Sequence, residues 1–277
     1  EMRITFVGTG CGATLNPERA GAGIHVSAGQ SSLLLDCGPG VIDRIQRAEI
    51  DHTAIGHVLF SHLHSDHAIG IAELLFQFSF RRRPLPAIYG PEGTDSYLAA
   101  AIDFVQANTG PRLADEGAAM AKLEATLTRP GDERELDAVQ VTTREVPHVD
   151  YLECLARRLD AGGSSMVYSG DTRPAPDVLV PLADGVDVLI HEAYTEAALE
   201  QFAAPLPETV QANIHKAFES SHSDAVAVGK LAAEAGARRL VLTHLLPQES
   251  EAGVIDACAQ HFRGEIVVAH DGLGLDL

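Results

Sequence analysis

The tightest constraint on the fold of this chain is a rhythm: short apolar runs that end repeatedly in histidine or an acidic residue. "HVLFSH" ends at His62, "VQVTTREVPH" at His148 and "SSMVYSGD" at Asp171. "VDVLIHE" reaches His191 and Glu192, "RRLVLTH" reaches His244, and "EIVVAHD" reaches His270 and Asp271. Apolar runs of this length read as strands. Helical stretches fall between them, in "IAELLFQF" after the first run, at Asp95 to Ala107, at Thr195 to Phe202, and at Asp224 to Ala235 with Ser223 as N-cap. Alternating strands and helices predict α/β layers, with the polar strand ends gathered along one edge. No linker-like composition break divides the sequence, so residues 1–277 are read as a single domain, long enough to bury a large core.

The N-terminal segment raises one competing fold. "ITFVGTGCG" followed by "SLLLDCG" imitates a dinucleotide fingerprint, with glycines after a strand and an acidic residue at Asp36. That fingerprint needs a helix between the two strands. The intervening "ATLNPERAGAGIHVSAGQ" carries no helical stripe, and the segment reads instead as strand, loop, strand, strand. Composition narrows the partners. Lys plus Arg number 20 against 39 Asp plus Glu, a net charge of −19, which disfavours nucleic acid. Cys11, Cys37, Cys154 and Cys258 form no CxxC pair and read as buried thiols of a reducing compartment. The opening "EMRITFVGTG" lacks a basic stretch ahead of a long apolar run, and no span is long and apolar enough for a membrane. A cytoplasmic protein with a small-molecule substrate, away from membranes, is expected.

The densest chemistry is "SHLHSDHAIG", Ser61 to Gly70, where a strand gives way to a helix. His62 and His64, two apart in an extended turn, can reach one ion. Asp66 and His67, at the helix entry, point elsewhere and can serve a second. Imidazole and carboxylate are the donors a catalytic zinc site uses. The cluster cannot saturate two ions alone, and His148, Asp171 and His244, each at a strand end, are the candidate completing donors. A carboxylate bridging both ions is the economical design, with Asp171 in "YSGDT" as the candidate. Two-metal sites hold their ions ~3.5–4 Å apart and clamp both the attacking and the leaving oxygen.

Taken together, H-x-H-x-D-H and the distant His, Asp and His resemble the metallo-β-lactamase superfamily over nearly the whole chain. The resemblance implies an αββα sandwich, two packed mixed β-sheets flanked by helices with metals at one edge. It implies His62, His64 and His148 on one ion, Asp66, His67 and His244 on the other, and Asp171 between them. "VGTG", "LLLDCGPG", "IYGPEG", "SGDTRP", "IHEAY" and "LTHLLP" are similar, in order, to the ribonuclease Z-like branch. "SHSDAVAVGKLAAEAG" resembles that branch's His-Ser-Thr loop and helix, with Asp224 where threonine is usual. The resemblance thereby assigns His222 as proton donor to the leaving oxygen and Glu192 as the carboxylate that orients it. The tRNA-processing enzymes carry a long arm between the third histidine and the bridging aspartate. Here only "VDYLECLARRLDAGGSSMVYSG" stands there, a hairpin turning at Ala161-Gly162-Gly163.

The expected protein is therefore a binuclear metal-dependent hydrolase. Its two divalent ions are expected to be Zn2+, with Mn2+, Fe2+ and Co2+ as other occupants. Water activated between the ions, oriented by Asp66, attacks a small phosphodiester while His222 supplies the leaving-group proton. The alternatives are hydrolysis of an ester, lactone, sulfate ester or amide on the same site, and tRNA 3′ processing without the arm. Asp271 and His191 stand at strand ends as residues that could orient ligands. His25, His52, His57, His215 and His261 read as packing or surface residues, and Arg81 to Arg83 as a solvated helix end. Phe76, Phe78 and Phe80 read as core, with a homodimer face or a pocket wall as the other readings. The pocket walls are placed in Asn16 to Gly29 and Gly110 to Gly131.

Overall fold

The computed structural model describes residues 1–12, 16–116 and 123–277. Its first sheet opens with β1 (Met2–Gly8), β2 (Gly23–Ala28), β3 (Ser31–Leu35), β4 (His57–Leu59), β5 (Ala87–Gly90) and β6 (Ala125–Leu127). The second comprises β7 (Glu133–Leu136), β8 (Val139–Glu145), β9 (Leu155–Ala161), β10 (Ser164–Tyr168), β11 (Val188–Glu192), β12 (Arg239–Thr243) and β13 (Glu265–Val268). A last strand, β14 (Gly274–Asp276), returns to the first sheet beside β1. Each sheet has seven strands, antiparallel at one side and parallel at the other, where β3-β4-β5-β6 and β10-β11-β12-β13 run side by side.

The helices are α1 (Val41–Arg47), α2 (Ser65–Ala68), α3 (Ile71–Phe80), α4 (Thr94–Asp115), α5 (Pro176–Leu182), α6 (Glu196–Ala203), α7 (Glu208–Ser221), α8 (Ala225–Glu234) and α9 (Glu251–Cys258). Side-chain alternation sorts the strand residues into layers. Leu33 and Leu35 of β3, Val26 of β2, Met166 of β10 and Val241 of β12 meet between the sheets. Leu34 faces the other way, onto α1 and α3, and Leu240 and Leu242 pack against α8 and α9. Strands covered on both faces explain the unbroken apolar runs in the sequence. The result is the expected αββα sandwich.

Three details depart from the sequence reading. Asp224, not Ser223, caps α8: its backbone is extended and its carboxylate accepts from Val226 N and Ala227 N at 3.1 Å. The Ser223 hydroxyl is committed to Thr172 O at 2.7 Å. The helix expected to end at Ala107 runs on to Asp115 through Gly110 and Pro111, since proline deletes only one intrahelical bond. Of the three phenylalanines of α3, only Phe78 is core. Phe76 and Phe80 point outward, 40% and 56% exposed, and Phe76 helps line a groove of about 720 Å³ between α3 and α4. The N-terminal strands follow the strand-loop-strand-strand order. Residues 13–15 of that loop, and 117–122 of the expected wall Gly110 to Gly131, lie outside the described residues.

Candidate metal centre

Polar strand ends do collect along one edge. From β4 the chain passes through Phe60 and Ser61 to the fully buried His62; His64 is extended at the N-cap of α2, and Asp66 and His67 occupy its single turn. His148 follows β8, Asp171 follows β10, Glu192 ends β11 and His244 follows β12. The α2 turn is fixed from below by backbone bonds from Ala22 N to Asp66 O (2.9 Å) and from Cys37 N to His67 O (2.7 Å). This is why the neighbouring sequence needs glycine. A Cβ on Gly38 would stand 2.1 Å from Asp66 O, and one on Gly21 2.7 Å from it.

The donors form two groups that share Asp171. His62, His64, His148 and Asp171 make one; Asp66, His67, Asp171 and His244 make the other. In the first, His64 Nδ1 lies 3.0 Å from His62 Nε2 and 3.3 Å from His148 Nε2. In the second, His244 Nε2 lies 3.2 Å from Asp66 Oδ2 and 3.3 Å from Asp171 Oδ2, and His67 Nε2 lies 3.3 Å from Asp171 Oδ1. Partners on the far nitrogens fix two tautomers. His67 Nδ1 donates to Asp36 Oδ2 (2.8 Å) and His148 Nδ1 to Ser221 O (2.7 Å), so each presents an Nε2 lone pair to the cluster.

These residues fit a pair of divalent cations. His67 Nε2 and Asp171 Oδ1 are buried and hydrogen-bond no described residue. Imidazole lone pairs converging within about one van der Waals contact are also what an ion between them requires. The buried carboxylates favour positive charge here, borne by protons on His67 and His244 or by cations that displace them. Burial pushes the His62 pKa well below its ordinary value, with His67 adding to the effect. Burial opposes charge on His67 too, but Asp171 and Asp36 outweigh it and raise its pKa well above the usual range; Asp171 does the same for His244. Asp171 itself is held well below the carboxylate range, since His244 and His67 outweigh its burial.

One residue central to this frame was not singled out as a site residue from sequence. Asp36, fully buried at the end of β3, accepts from Ser61 N (2.6 Å), Ser61 Oγ (2.7 Å), His67 Nδ1 and Tyr168 OH (2.8 Å each). Its φ of 59°, like the 54° of His244, turns the chain sharply at a strand end. The signal is the carboxylate closing the apolar run "LLLD", a polar strand end like those of the other donors.

A third cluster adjoins the ligands. His222 Nδ1 lies 2.7 Å from Glu192 Oε2, and its ring is 5.0 Å from that of His148 and 5.7 Å from that of His244. Glu192 Oε1 accepts from Thr172 N, which aims the carboxylate. Burial disfavours an imidazolium at His222, yet Glu192 wins and its pKa is raised. Asp271 does not reach a ligand imidazole. It accepts from Thr9 Oγ1, Ala20 N and Arg44 Nε, bracing the loop from which Gly12 N donates to Asp66 Oδ2 (3.0 Å). His191 is buried with Nδ1 on Glu192 O. His25, His52, His57, His215 and His261 join no metal-capable group among the described residues. Arg82 pairs with Glu116 on the surface beyond α3.

A profile of the β-lactamase superfamily domain matches residues 32–245, which span both donor groups. The chain belongs to the metallo-β-lactamase superfamily. It is thus a hydrolase, on the ribonuclease Z-like side of that superfamily. A protein named ribonuclease Z from Mycobacterium bovis is 30% identical over 98% of this chain and 96% of its own length. A metallo-β-lactamase fold protein, YhfI from Bacillus subtilis, superposes with a TM-score of 0.76 at 22% identity, covering 100% of both chains. A diphosphatase of the PhnP family gives 0.71 at 18%, covering 100% of this chain and 98% of its own. The expected short hairpin is present: β9 turns at Gly162-Gly163 straight into β10. No helix among the described residues is long and apolar enough to cross a membrane.

Proposed function

We propose that this hydrolase cleaves small phosphodiesters at a two-cation centre, with zinc as the default ion. The observation that carries the reading is the His222–Glu192 pair, 2.7 Å apart beside the ligand groups. His62, His64, His148 and Asp171 would hold one divalent cation and Asp66, His67, His244 and Asp171 another, which when bound would supply Lewis acidity and lower the pKa of a bound water. Asp66, steadied by Gly12 N, orients the attacking water. His222, kept protonated by Glu192, gives its proton to the departing alkoxide, the step a poor leaving group needs most.

The test compares His222→Ala with the parent on two diesters, one losing nitrophenolate and one losing an alkoxide. Metal content and fold should persist. Turnover of the alkoxide diester should fall ~10²–10⁴-fold and that of the nitrophenyl diester much less. An equal loss on both, with metals retained, contradicts proton donation and moves the ester or lactone reading ahead.

A second reading, tRNA 3′ processing, draws on the mycobacterial relative. That alignment runs nearly end to end on both chains, so a long arm does not separate the two proteins. Against it stands the net charge of −19, which opposes a polyanion the size of tRNA.

A further inference from the structure

We propose that Tyr151 is the recognition residue of this site, a preset aromatic platform selecting substrates that carry a planar ring beside the scissile bond. The proposal rests on the hydrolase reading above and names its substrate class: aryl or nucleoside esters of phosphate in preference to purely aliphatic ones.

Three observations place the residue. Tyr151 is 74% exposed, unusual for a ring with such local contacts. Its hydroxyl lies 3.1 Å from His64 Nε2, the nitrogen turned away from the other donors, and the two rings are 5.9 Å apart at 55°. The other exposed aromatic rings among the described residues, Phe76, Phe80 and Phe104, lie on α3 and α4, and none of them stacks on a donor imidazole. Tyr151 therefore presents an open face at the mouth while its hydroxyl holds it beside the first donor group.

The loop that carries it is anchored on both sides. Val146 N donates to Cys154 O and Leu155 N to Ser61 O, each at 2.9 Å, joining the loop to β8 and to the residue before His62. Glu153 Oε2 accepts from Glu92 N at 2.9 Å, tying it to the turn ahead of α4. A ring held this way loses little freedom when a substrate stacks on it, and low ordering cost is what makes tyrosine an efficient contact residue. Stacking of a planar ring on an aromatic side chain is worth ~1–3 kcal/mol, and each tenfold in affinity is ~1.4 kcal/mol.

The experiment measures binding of phenylphosphonate and cyclohexylphosphonate to the metal-reconstituted protein, and methanol release from methyl phosphodiesters whose second ester is phenyl or cyclohexyl. A matching pair of methyl carboxylic esters, the benzoate and the cyclohexanecarboxylate, is run in parallel. The parent should favour the phenyl member about tenfold. Tyr151→Phe, which keeps the ring, should retain most of that ratio, whereas Tyr151→Leu, apolar but not planar, should abolish it, both being assayed at metal concentrations that saturate the centre. A ratio near one in the parent, a ratio retained in Tyr151→Leu, or a ratio lost equally in Tyr151→Phe overturns the proposal. If phosphodiesters are simply not turned over, the phosphodiesterase reading fails, and the phosphonate and carboxylic-ester ratios still decide the role of Tyr151.

Discussion

Replacing Asp36 probes the frame that holds the donors without touching a donor. Asp36→Ala would strip partners from Ser61 N, Ser61 Oγ, His67 Nδ1 and Tyr168 OH. With its Nε2 turned to the other donors, neutral His62 gives its Nδ1 proton to the serine oxygen at 3.0 Å and cannot accept from it, so four buried donors are left unpaired. At about 1–3 kcal/mol each, the loss rivals a typical domain's whole net stability of about 5–15 kcal/mol. It also removes the carboxylate that favours charge on Arg157, a fully buried guanidinium whose pKa burial pushes down to about 10. Asp36→Asn is the informative variant, because asparagine also tolerates the left-handed backbone. Its amide cannot satisfy the same set. With oxygen toward Ser61 N, the NH₂ faces His67 Nδ1 and favours the tautomer that protonates Nε2, the nitrogen turned to the donors. With the amide reversed, Ser61 N loses its acceptor. Either way we expect a destabilisation of about 2–4 kcal/mol in urea melts. Competition against a chromogenic chelator should show metal affinity lower by about 10–100-fold. An Asp36→Asn protein that unfolds at the parent's urea concentration and holds metal as tightly would refute this account of the frame.

Gly38→Ala should displace the α2 turn, because its Cβ would meet Asp66 O at 2.1 Å; a loss of about 1–3 kcal/mol with reduced metal content is expected, and full metal occupancy would contradict it. His25, packed on the outer face of β2, has its pKa lowered to about 4 by burial. Between about pH 6.5 and 4 the unfolded chain binds a proton that the folded chain refuses. That contribution, about 3 kcal/mol, is complete above the unfolded value, erodes as pH falls and levels off below about 4. His25→Gln should flatten that part of a stability-versus-pH curve, and an identical curve counts against the assignment. A precursor tRNA should be bound weakly at physiological salt and cut poorly; efficient, position-specific removal of its 3′ trailer would install the ribonuclease reading instead.

Much of the fold was legible because burial on both faces leaves unbroken apolar runs, as in "SLLLD" and "RRLVLTH", and these mark the parallel strands directly. The donor set was legible for a related reason: a parallel sheet delivers every strand's carboxyl end to the same edge, so polar terminators in sequence become neighbours in space. What escaped was set by tertiary context. Asp36 and His244 take positive φ, a conformation usually read from glycine, and nothing local announces it. The helix Glu208–Ser221 was not among the expected helices although Val210, Ile214 and Phe218 recur four residues apart; its stripe is thin, and Ile214 and Phe218 are only partly buried against Tyr194 and Leu199. Phe76 and Phe80 match Phe78 in residue type, and only the helical period separates them: Phe78 shares the i, i+3, i+4, i+7 face of Ile71, Leu74 and Leu75. Asp271 ends its strand as the ligands do, but the loop it braces lies far away in sequence, and spacing could not show what it would meet.

If His62, His64, Asp66, His67, His148, Asp171 and His244 form one centre for two ions joined by Asp171, metal stoichiometry will show it. Elemental analysis of protein reconstituted with zinc and freed of excess should give two ions per chain for the parent. Asp171→Ala should lose more than one, since both groups share that carboxylate. One ion or none in the parent after reconstitution, or a loss confined to a single ion in Asp171→Ala, would contradict the shared two-ion centre.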